Sequence, residues 1–258
     1  MRGLFVVVSV CALSAIVGCS DGGDGGPGGA GGEGGAAGVG GFGGEDGFVA
    51  DAPVAVSGTT PFAECEPEIE WLDTETEPWV AVNPVDANHI VGVWMQDLGD
   101  DPLRGRGNLA GVSFDGGATW ESVAIPRLTT CTGGEFADTL DPWVAFAANG
   151  DVYAVSMMLL PSAILVNKSV DGGLTWGDPT TIAAADAPSF LDKPSITGDP
   201  EDECSVYVAW TFFPDDQGDP NRTMHFSRTT DCGVTWSAPV LLHDEYGGGL
   251  QSVVAEDG

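Results

Sequence analysis

Three acidic residues stand at the start of three similar stretches of the sequence and are its best candidates for chemistry. Glu77 opens E-P-W-V-A-V-N-P, Asp141 opens D-P-W-V-A-F-A-A-N-G, and Asp192 opens D-K-P-S-I-T-G-D-P. Carboxylates that converge on one mouth could act as general acid and base, bind sugar hydroxyls, or hold a cation. The alternative is that each acid only caps the entry of a strand before proline.

Arginines near these stretches could bind an anionic ligand, because the planar guanidinium pairs with a carboxylate through two hydrogen bonds. Arg104 and Arg106 lie in P-L-R-G-R-G, and Arg127 and Arg222 lie in other predicted loops. We expect these arginines to lie farther out on the mouth than the carboxylates. The alternative is that they are solvated loop charges.

The remaining reactive residue types form no recognisable catalytic set. Tyr246, in H-D-E-Y-G-G-G, is the tyrosine placed to reach the mouth, whereas Tyr153 and Tyr207 fall in core patterns. The three histidines, His89, His225 and His243, pair with no nucleophile and acid.

No Cys-x-x-Cys or cysteine–histidine cluster occurs, so we predict no zinc site. A structural calcium ion is left open as a cofactor.

The elements that position these residues are predicted to be short strands. Each acidic stretch predicts an innermost strand. Runs of β-branched and aromatic residues follow it and predict second strands at 90–94, 152–156 and 206–210. Third strands are predicted at about 109–113, 164–169 and 224–229, and fourth strands end near residues 125, 182 and 242. No segment has sustained helical periodicity.

A second repeat joins each third strand to its fourth. S-F-D-G-G-A-T-W returns as S-V-D-G-G-L-T-W and as T-T-D-C-G-V-T-W, with the aspartates 56 and 60 residues apart. Asp-x-Gly predicts a tight hairpin, since glycine tolerates positive φ and the carboxylate accepts hydrogen bonds from turn amides. The motif positions are Ser113, Asp115, Gly117, Thr119 and Trp120, then Ser169, Asp171, Gly173, Thr175 and Trp176, then Thr229, Asp231, Gly233, Thr235 and Trp236.

This pattern, S/T-x-D-x-G-x-T-W, resembles the Asp box (BNR repeat) of the sialidase superfamily. From about residue 54 onward the chain is similar to bacterial Asp-box lipoproteins of that superfamily, through the boxes, the P-W-V-A strand, C-T-G-G at 131–134 and D-K-P-S-I-T. The resemblance implies an all-β, sialidase-like β-propeller with four-stranded blades, six in the full protein. It also implies that the boxes are structural and lie away from the active-site face.

The repeats divide residues 48–258 into blades at about 77–125, 141–183 and 192–242, with the start of a fourth at 248–258. Three blades and one strand cannot close a ring, because propellers have about four to eight blades. We therefore expect an N-terminal fragment of a longer protein. The segment V-A-V-S at 54–57 could be the strand that completes the last blade.

The N-terminus predicts export. Arg2 precedes an apolar run at 4–17, which suits a signal peptide and is too short to span a bilayer comfortably. I-V-G-C at 16–19 resembles the lipobox of bacterial lipoproteins, and this resemblance predicts Cys19 as the lipid attachment site. The alternatives are an ordinary signal peptide cut near Gly18 or a retained hydrophobic tail. Residues 1–19 are thus the signal peptide and lipobox, and the glycine-rich residues 20–47 a flexible tether. The expected location is the bacterial cell envelope, either its outer surface or the periplasm.

Four cysteines remain in the exported part, and four cysteines allow three pairings. Cys204 starts a second strand and Cys232 lies in the hairpin that ends the antiparallel third strand, so we expect these two to be neighbours. We predict a Cys204–Cys232 disulfide and, by elimination, Cys65–Cys131.

The charge balance excludes some partners. The net charge is −31, from 39 acidic and 8 basic residues. Such a surface argues against nucleic acid and against binding to anionic lipid headgroups. We expect a glycan or glycoconjugate as partner and a membrane link only through the lipid anchor.

Two functions of different class follow from the resemblance. One is a surface-anchored glycoside hydrolase of sialidase type, which in that family uses three arginines, an aspartate, and a tyrosine paired with a glutamate. The other is a non-catalytic propeller that binds glycans or a protein. The R-I-P motif that carries the first family arginine is absent from this sequence, and fold analogy alone does not establish a reaction.

Overall fold

Strands joined by tight turns make up almost all of the regular structure in the computed structural model, which describes residues 4–8, 53–65, 71–98, 105–215, 222–243 and 249–255. The strands in chain order are β1 (Leu4–Val8), β2 (Trp71–Asn83), β3 (Asp86–Leu98), β4 (Gly105–Ser113), β5 (Glu121–Ala124), β6 (Leu140–Phe146), β7 (Val152–Leu159), β8 (Ser162–Ser169), β9 (Thr180–Ala185), β10 (Phe190–Gly198), β11 (Val206–Phe213), β12 (Thr223–Thr229), β13 (Val240–His243) and β14 (Leu250–Val254). One 3₁₀ helix, Thr130–Thr132, follows β5.

The strands form three four-stranded antiparallel sheets in sequence order, β2–β5, β6–β9 and β10–β13. A fourth pair joins β14 to β1, with Leu4 opposite Val254 and Val8 opposite Leu250. The predicted all-β fold with about three four-stranded blades and one further strand is confirmed. Each predicted second and third strand lies within an observed one, and β2 begins six residues before Glu77.

The middle sheet explains why its central strands, β7 and β8, are nearly continuous apolar runs in the sequence. Seven of the eight residues of β7 are buried, and so are seven of the eight in β8. One face of this sheet packs on the first sheet, where Val91 and Val112 meet Val144 and Val152 in one core cluster. Its other face packs on the third sheet in a second cluster. A strand buried on both faces needs apolar side chains at every position rather than at every second one.

The outward face of the first sheet is partly covered by residues 53–62, which were predicted to include a closing strand. These residues form no strand in the structure. Instead Val56 and Phe62 pack on Trp94 and Leu109. Gly111 makes this approach possible, because a Cβ atom there would lie 2.4 Å from Cγ1 of Val56.

The three repeated boxes form the same turn. In the first box the hydroxyl of Ser113 donates to Asp115 Oδ1 at 2.8 Å, and Thr119 donates to Asp115 from its amide at 2.8 Å and from its hydroxyl at 2.7 Å. The amide of Gly117 donates to the hydroxyl of Ser113 at 2.9 Å. The two residues after the aspartate have positive φ, which is the reason for the glycines.

The boxes also connect successive sheets. His89 of the first sheet lies 2.8 Å from the carbonyl oxygen of Gly172 in the second box, through its Nε2. Lys168 of the second sheet donates to the carbonyl oxygen of Cys232 in the third box at 3.1 Å, and it also pairs with Asp151 at 2.7 Å. Gly172 and Cys232 occupy the same place in their boxes. The second and third turns thus each offer a carbonyl oxygen that a side chain of the preceding sheet binds.

Both predicted disulfides are present, Cys65–Cys131 and Cys204–Cys232. Cys232 has a φ of 59° at a turn position where the first two boxes have glycine. Its amide donates to the carbonyl oxygen of Cys204 at 3.1 Å. The disulfide and this hydrogen bond hold a non-glycine residue in the left-handed conformation.

Several predictions concern residues that the structure does not describe. Cys19, the tether at 20–47, Arg104, Tyr246 and most of the predicted signal peptide lie outside the described residues. The start of that signal peptide coincides with β1. Among the residues that are described, no helix is long and apolar enough to cross a membrane.

Replacement of His89 tests the contact between the first two sheets. His89 is buried, accepts a hydrogen bond from Asn83 at 2.9 Å and reaches Gly172. His89→Leu leaves both partners unsatisfied, so we expect the free energy of unfolding to fall by about 1–3 kcal/mol in urea titrations. Asn88→Ala, on the exposed neighbouring residue, is the control. An unchanged stability for His89→Leu would contradict the interpretation.

Acid titration tests the boxes. Hydrogen bonds from threonine and serine lower the pKa of Asp115 and of Asp231 to about 2, from an ordinary value of 3.8. A carboxylate with a lowered pKa stabilises the fold fully above its unfolded pKa, and this contribution is lost as the pH falls to the folded value. Between pH 4 and pH 2 we therefore expect the melting temperature to fall less steeply in Asp115→Asn and Asp231→Asn than in the native chain. Ser122→Ala, at an exposed position that carries no titratable group in the strand after the first box, should keep the native slope.

Candidate functional site

The inner strands β2, β6 and β10 share an unusual feature at the same level of each sheet. Glu77, Asp141 and Lys193 have φ values of 52°, 45° and 48°, and each precedes a proline. Gly249, directly before β14, has a φ of 73°. All four inner strands therefore place a residue in the left-handed region at the equivalent point, and only the last of these residues is glycine.

Each of the three non-glycine residues belongs to a β-bulge. In β2 the pairing moves from Thr76–Met95 to Trp79–Val93, so that two residues of the inner strand oppose one residue of its neighbour. The same shift occurs after Leu140 in β6 and after Asp192 in β10. A non-glycine residue in the left-handed conformation costs about 1–2 kcal/mol, and bulges of this kind re-aim a side chain.

The three re-aimed side chains meet. Lys193 Nζ lies 3.3 Å from Glu77 Oε1 and 2.5 Å from Asp141 Oδ1, and the amide of Asp141 donates to Glu77 Oε2 at 2.9 Å. The residues come from three different sheets and are up to 116 positions apart in the chain. Packing between the sheets, and not local sequence, therefore assembles this group, which we call the charged triad.

The electrostatics of the charged triad follow from partial desolvation and mutual contact, since the side chains of Glu77 and Lys193 remain 37% and 51% exposed. Burial raises the pKa of Glu77, the nearby Asp141 raises it further, and Lys193 only partly offsets this. Burial alone would lower the pKa of Lys193, but the hydrogen bond and charge of Asp141, with the charges of Glu77 and Asp192, raise it well above its usual range. Lys193 therefore stays protonated, whereas Glu77 takes up a proton more readily than an exposed glutamate.

The charged triad borders an apolar hollow of about 390 Å³. Its lining consists of the left-handed residue of each inner strand and the residue after it, together with Trp79, Trp143 and Gln251. The rings of Trp79 and Trp143 stack with centroids 3.4 Å apart. We call this hollow, with the charged triad at its edge, the inner-strand pocket. It combines flat apolar surfaces with a few polar groups, which is the usual composition of a small-molecule site.

Of the predicted acids, the structure brings Glu77 and Asp141 together but gives Asp192 a different position. Lys193, not Asp192, occupies the left-handed position before the proline, and Asp192 lies one residue earlier with a pKa raised by burial. From the sequence, Asp192 was taken as the counterpart of Glu77 and Asp141, although the residue directly before the proline in D-K-P is Lys193. An alignment of the three prolines identifies Lys193. No repeat in the sequence identifies Gln251.

Three of the predicted arginines, Arg106, Arg127 and Arg222, are described, and none of them lines the inner-strand pocket. Arg106 was expected in a loop but lies in β4, where it is buried and its Nε has no hydrogen-bond partner among the described residues. Arg127 is exposed and pairs with Asp178 at 2.9 Å. Arg222 lies over the ring of Phe213, with its Cζ 5.4 Å from the ring centroid.

The other predicted residue types have packing positions. Tyr153 is buried, as the core pattern predicted, and Tyr207 donates a hydrogen bond to Asp199 at 2.9 Å. Among the described residues, no group of three or more acidic, histidine or cysteine side chains is placed to hold a metal ion.

A glycine–alanine comparison tests the strain at the pocket. Glu77→Gly and Glu77→Ala both remove the carboxylate, but only glycine adopts a φ of 52° without a steric penalty. We expect the glycine variant to be the more stable by about 1–2 kcal/mol in urea unfolding. The same pair at Glu75, which lies in β2 outside the left-handed region, is the control, and there alanine should be the more stable by about 0.5–1 kcal/mol. An alanine variant that equals or exceeds glycine at position 77 would refute the strain.

Comparison with known proteins concerns the fold. No family model matches the sequence, and no curated protein was found to be similar to it. Among solved structures, the α-L-arabinanase of Penicillium chrysogenum complexed with arabinobiose has a TM-score of 0.50 at 17% identity, over 69% of this chain and 52% of that one. The GH93 α-L-arabinofuranosidase of Fusarium graminearum, also with arabinobiose, has a TM-score of 0.48 at 17% identity, over 71% and 54%.

The Hadza microbial sialidase Hz136 has a TM-score of 0.49 at 18% identity, over 63% of this chain and 36% of that one. The chain thus spans between about a third and a half of the length of these structures. At sequence identities of 17–18%, the similarity to these structures shows a shared architecture alone. The described residues therefore have the fold of a sialidase-like β-propeller, of which they form about three blades and one further strand.

Proposed function

We propose that this protein is a carbohydrate-active β-propeller of the glycoside-hydrolase type, which binds a glycan in the inner-strand pocket. The observation that carries the proposal is the charged triad. Three strained bulges from separate blades aim Glu77, Asp141 and Lys193 at one point beside a stacked tryptophan pair. Backbone strain of this kind is typical of functional sites, and here it recurs at equivalent positions of three strands.

The pocket has the chemistry that a sugar requires. A sugar ring has apolar C–H faces, which pack on flat aromatic surfaces such as those of Trp79 and Trp143. Its hydroxyl groups can donate to the carboxylates and accept from the amide of Gln251. The neighbouring prolines restrict the backbone and so reduce the entropy that binding must overcome.

The two carboxylates suit different roles in hydrolysis. Glu77 has a pKa raised by burial and by Asp141 and is suited to hold the proton for a leaving group, while Asp141 pairs with Lys193 at 2.5 Å. Since both oxygens contact one nitrogen, they lie no more than about 6 Å apart, which is close to the retaining spacing of about 5–5.5 Å and below the inverting spacing of about 6.5–9.5 Å. Hydrolysis at this site would then retain the anomeric configuration.

The finer expectation, an exo-acting sialidase, rests on the family resemblance alone. The second candidate, a non-catalytic propeller that binds glycans, is favoured by a different observation. Lys193 bridges both carboxylates and partly neutralises them, and such a group can bind hydroxyls without transferring a proton. Both candidate functions include attachment to the cell envelope through a lipid on Cys19. This anchor would hold the pocket close to extracellular glycans.

A binding and turnover experiment tests the proposal. The full chain is applied to a glycan array and assayed on a panel of fluorogenic glycosides. We expect Asp141→Asn and Trp143→Ala to weaken glycan binding at least about tenfold. Glu77→Gln should abolish turnover while leaving binding detectable, because it removes the proton donor and keeps the shape.

Glu75→Gln, in the same strand but outside the pocket, is the matched control and should behave as the native chain. Circular dichroism melting of each variant separates lost function from lost folding. Glycan binding without turnover of any glycoside would select the non-catalytic candidate. An array without a bound glycan would refute both.

A further inference from the structure

We infer that the inner-strand pocket selects a neutral sugar residue and discriminates against one that carries a carboxylate or sulfate group. The inference rests on the proposed function and names the substrate class of the same site. It follows from the distribution of charge in and around the pocket.

The pocket has a net negative charge. Among the residues that line it, Glu77 and Asp141 are acidic and Lys193 is basic. The half-buried Asp192 lies close enough to influence the pKa of Lys193. An anionic group that entered the pocket would lie within a few ångströms of two carboxylates, with one cation between them.

That cation is already engaged. The ammonium of Lys193 has three protons, and it contacts Asp141 at 2.5 Å and Glu77 at 3.3 Å. A ligand carboxylate would have to displace one of these contacts and leave a protein carboxylate without its partner. A neutral hydroxyl can instead donate to the carboxylates while their contacts with Lys193 persist.

No second cation in the described part of the chain is placed to help. The sequence has eight lysines and arginines, of which Arg2 and Arg104 lie outside the described residues. Lys168 is bound to Asp151 and to the carbonyl oxygen of Cys232, and Arg127 to Asp178. Arg106, Arg222 and Arg228 do not line the pocket. Recognition of a carboxylate by a bidentate guanidinium therefore has no candidate there.

The apolar part of the pocket suits the same ligand. Trp79 and Trp143 present stacked rings, and the residues that follow the left-handed positions are prolines and Leu250. This surface favours the C–H face of a sugar ring and offers no compensation for desolvating a charged substituent.

The test compares neutral sugars with their acidic counterparts on the full chain. Arabinobiose, xylotriose and lactose are the neutral probes, and digalacturonic acid and 3′-sialyllactose are the acidic ones. Binding is followed by tryptophan fluorescence and confirmed by calorimetry. We expect at least one neutral probe to bind about tenfold or more tightly than either acidic probe at low ionic strength.

Two further measurements isolate the electrostatic cause. Raising the salt concentration should strengthen binding of the acidic probes and leave the neutral probes unchanged, because salt screens repulsion between like charges. The double variant Glu77→Gln/Asp141→Asn should bring the neutral-to-acidic affinity ratio close to one, and Glu75→Gln should preserve it. The salt series uses the native chain and so does not depend on the variant folding.

The outcomes separate this inference from the proposal on which it rests. If no probe and no glycan on the array binds, the proposed function fails. If glycans bind and an acidic probe binds as tightly as the neutral ones, or more tightly, the proposed function stands and the charge selection is wrong.

Discussion

The left-handed residue in each inner strand is the constraint on which the candidate site depends. An L-amino acid pays a steric penalty in this conformation, and the same penalty recurs at Glu77, Asp141 and Lys193. Each residue is held there by a bulge of its strand, although the proline that follows favours an extended conformation. Without these bulges the three side chains would continue the regular alternation of their strands and would not meet. The fourth inner strand has Gly249 at this point, so the backbone shape is common to all four strands while the strained side chains are confined to three.

The bulges can be held because the blades are fixed against each other by two independent means. Apolar clusters fill the spaces between successive sheets. At the other end of the sheets, His89 and Lys168 each bind a carbonyl oxygen of the next box. The clusters supply most of the stabilisation, and the polar contacts fix how one blade is rotated on the next. A triad with atoms from three blades needs both.

The charge of the inner-strand pocket is balanced locally in a strongly acidic protein. The chain has a net charge of −31, yet its carboxylates near the pocket are gathered around one lysine. This arrangement keeps Glu77 easy to protonate and holds Asp141 in contact with Lys193, which acid–base chemistry and hydroxyl binding both can use. Among the residues that the structure describes, the same arrangement leaves no cation of the pocket unengaged for an anionic ligand. The balance depends on Lys193, which therefore influences the chemistry and the ligand preference of the pocket alike.

The sequence by itself determined the fold class, the number of blades, the disulfide pairing and two of the three charged residues of the site. It could do so because strands, tight turns and boxes are local patterns that repeat with the blade. The tertiary structure decided which residues share the pocket. Lys193, and not Asp192, lies in the pocket because of the bulge in β10. The bulge changes the register by one residue, and a shift of one residue moves a side chain to the other side of the strand. Arg106 was expected in a loop but is buried in β4, because the residue at which a strand begins depends on the neighbouring strand with which it pairs. Apart from the three prolines, whose alignment identifies Lys193, such long-range choices leave no local trace in the sequence, and packing between blades settles them.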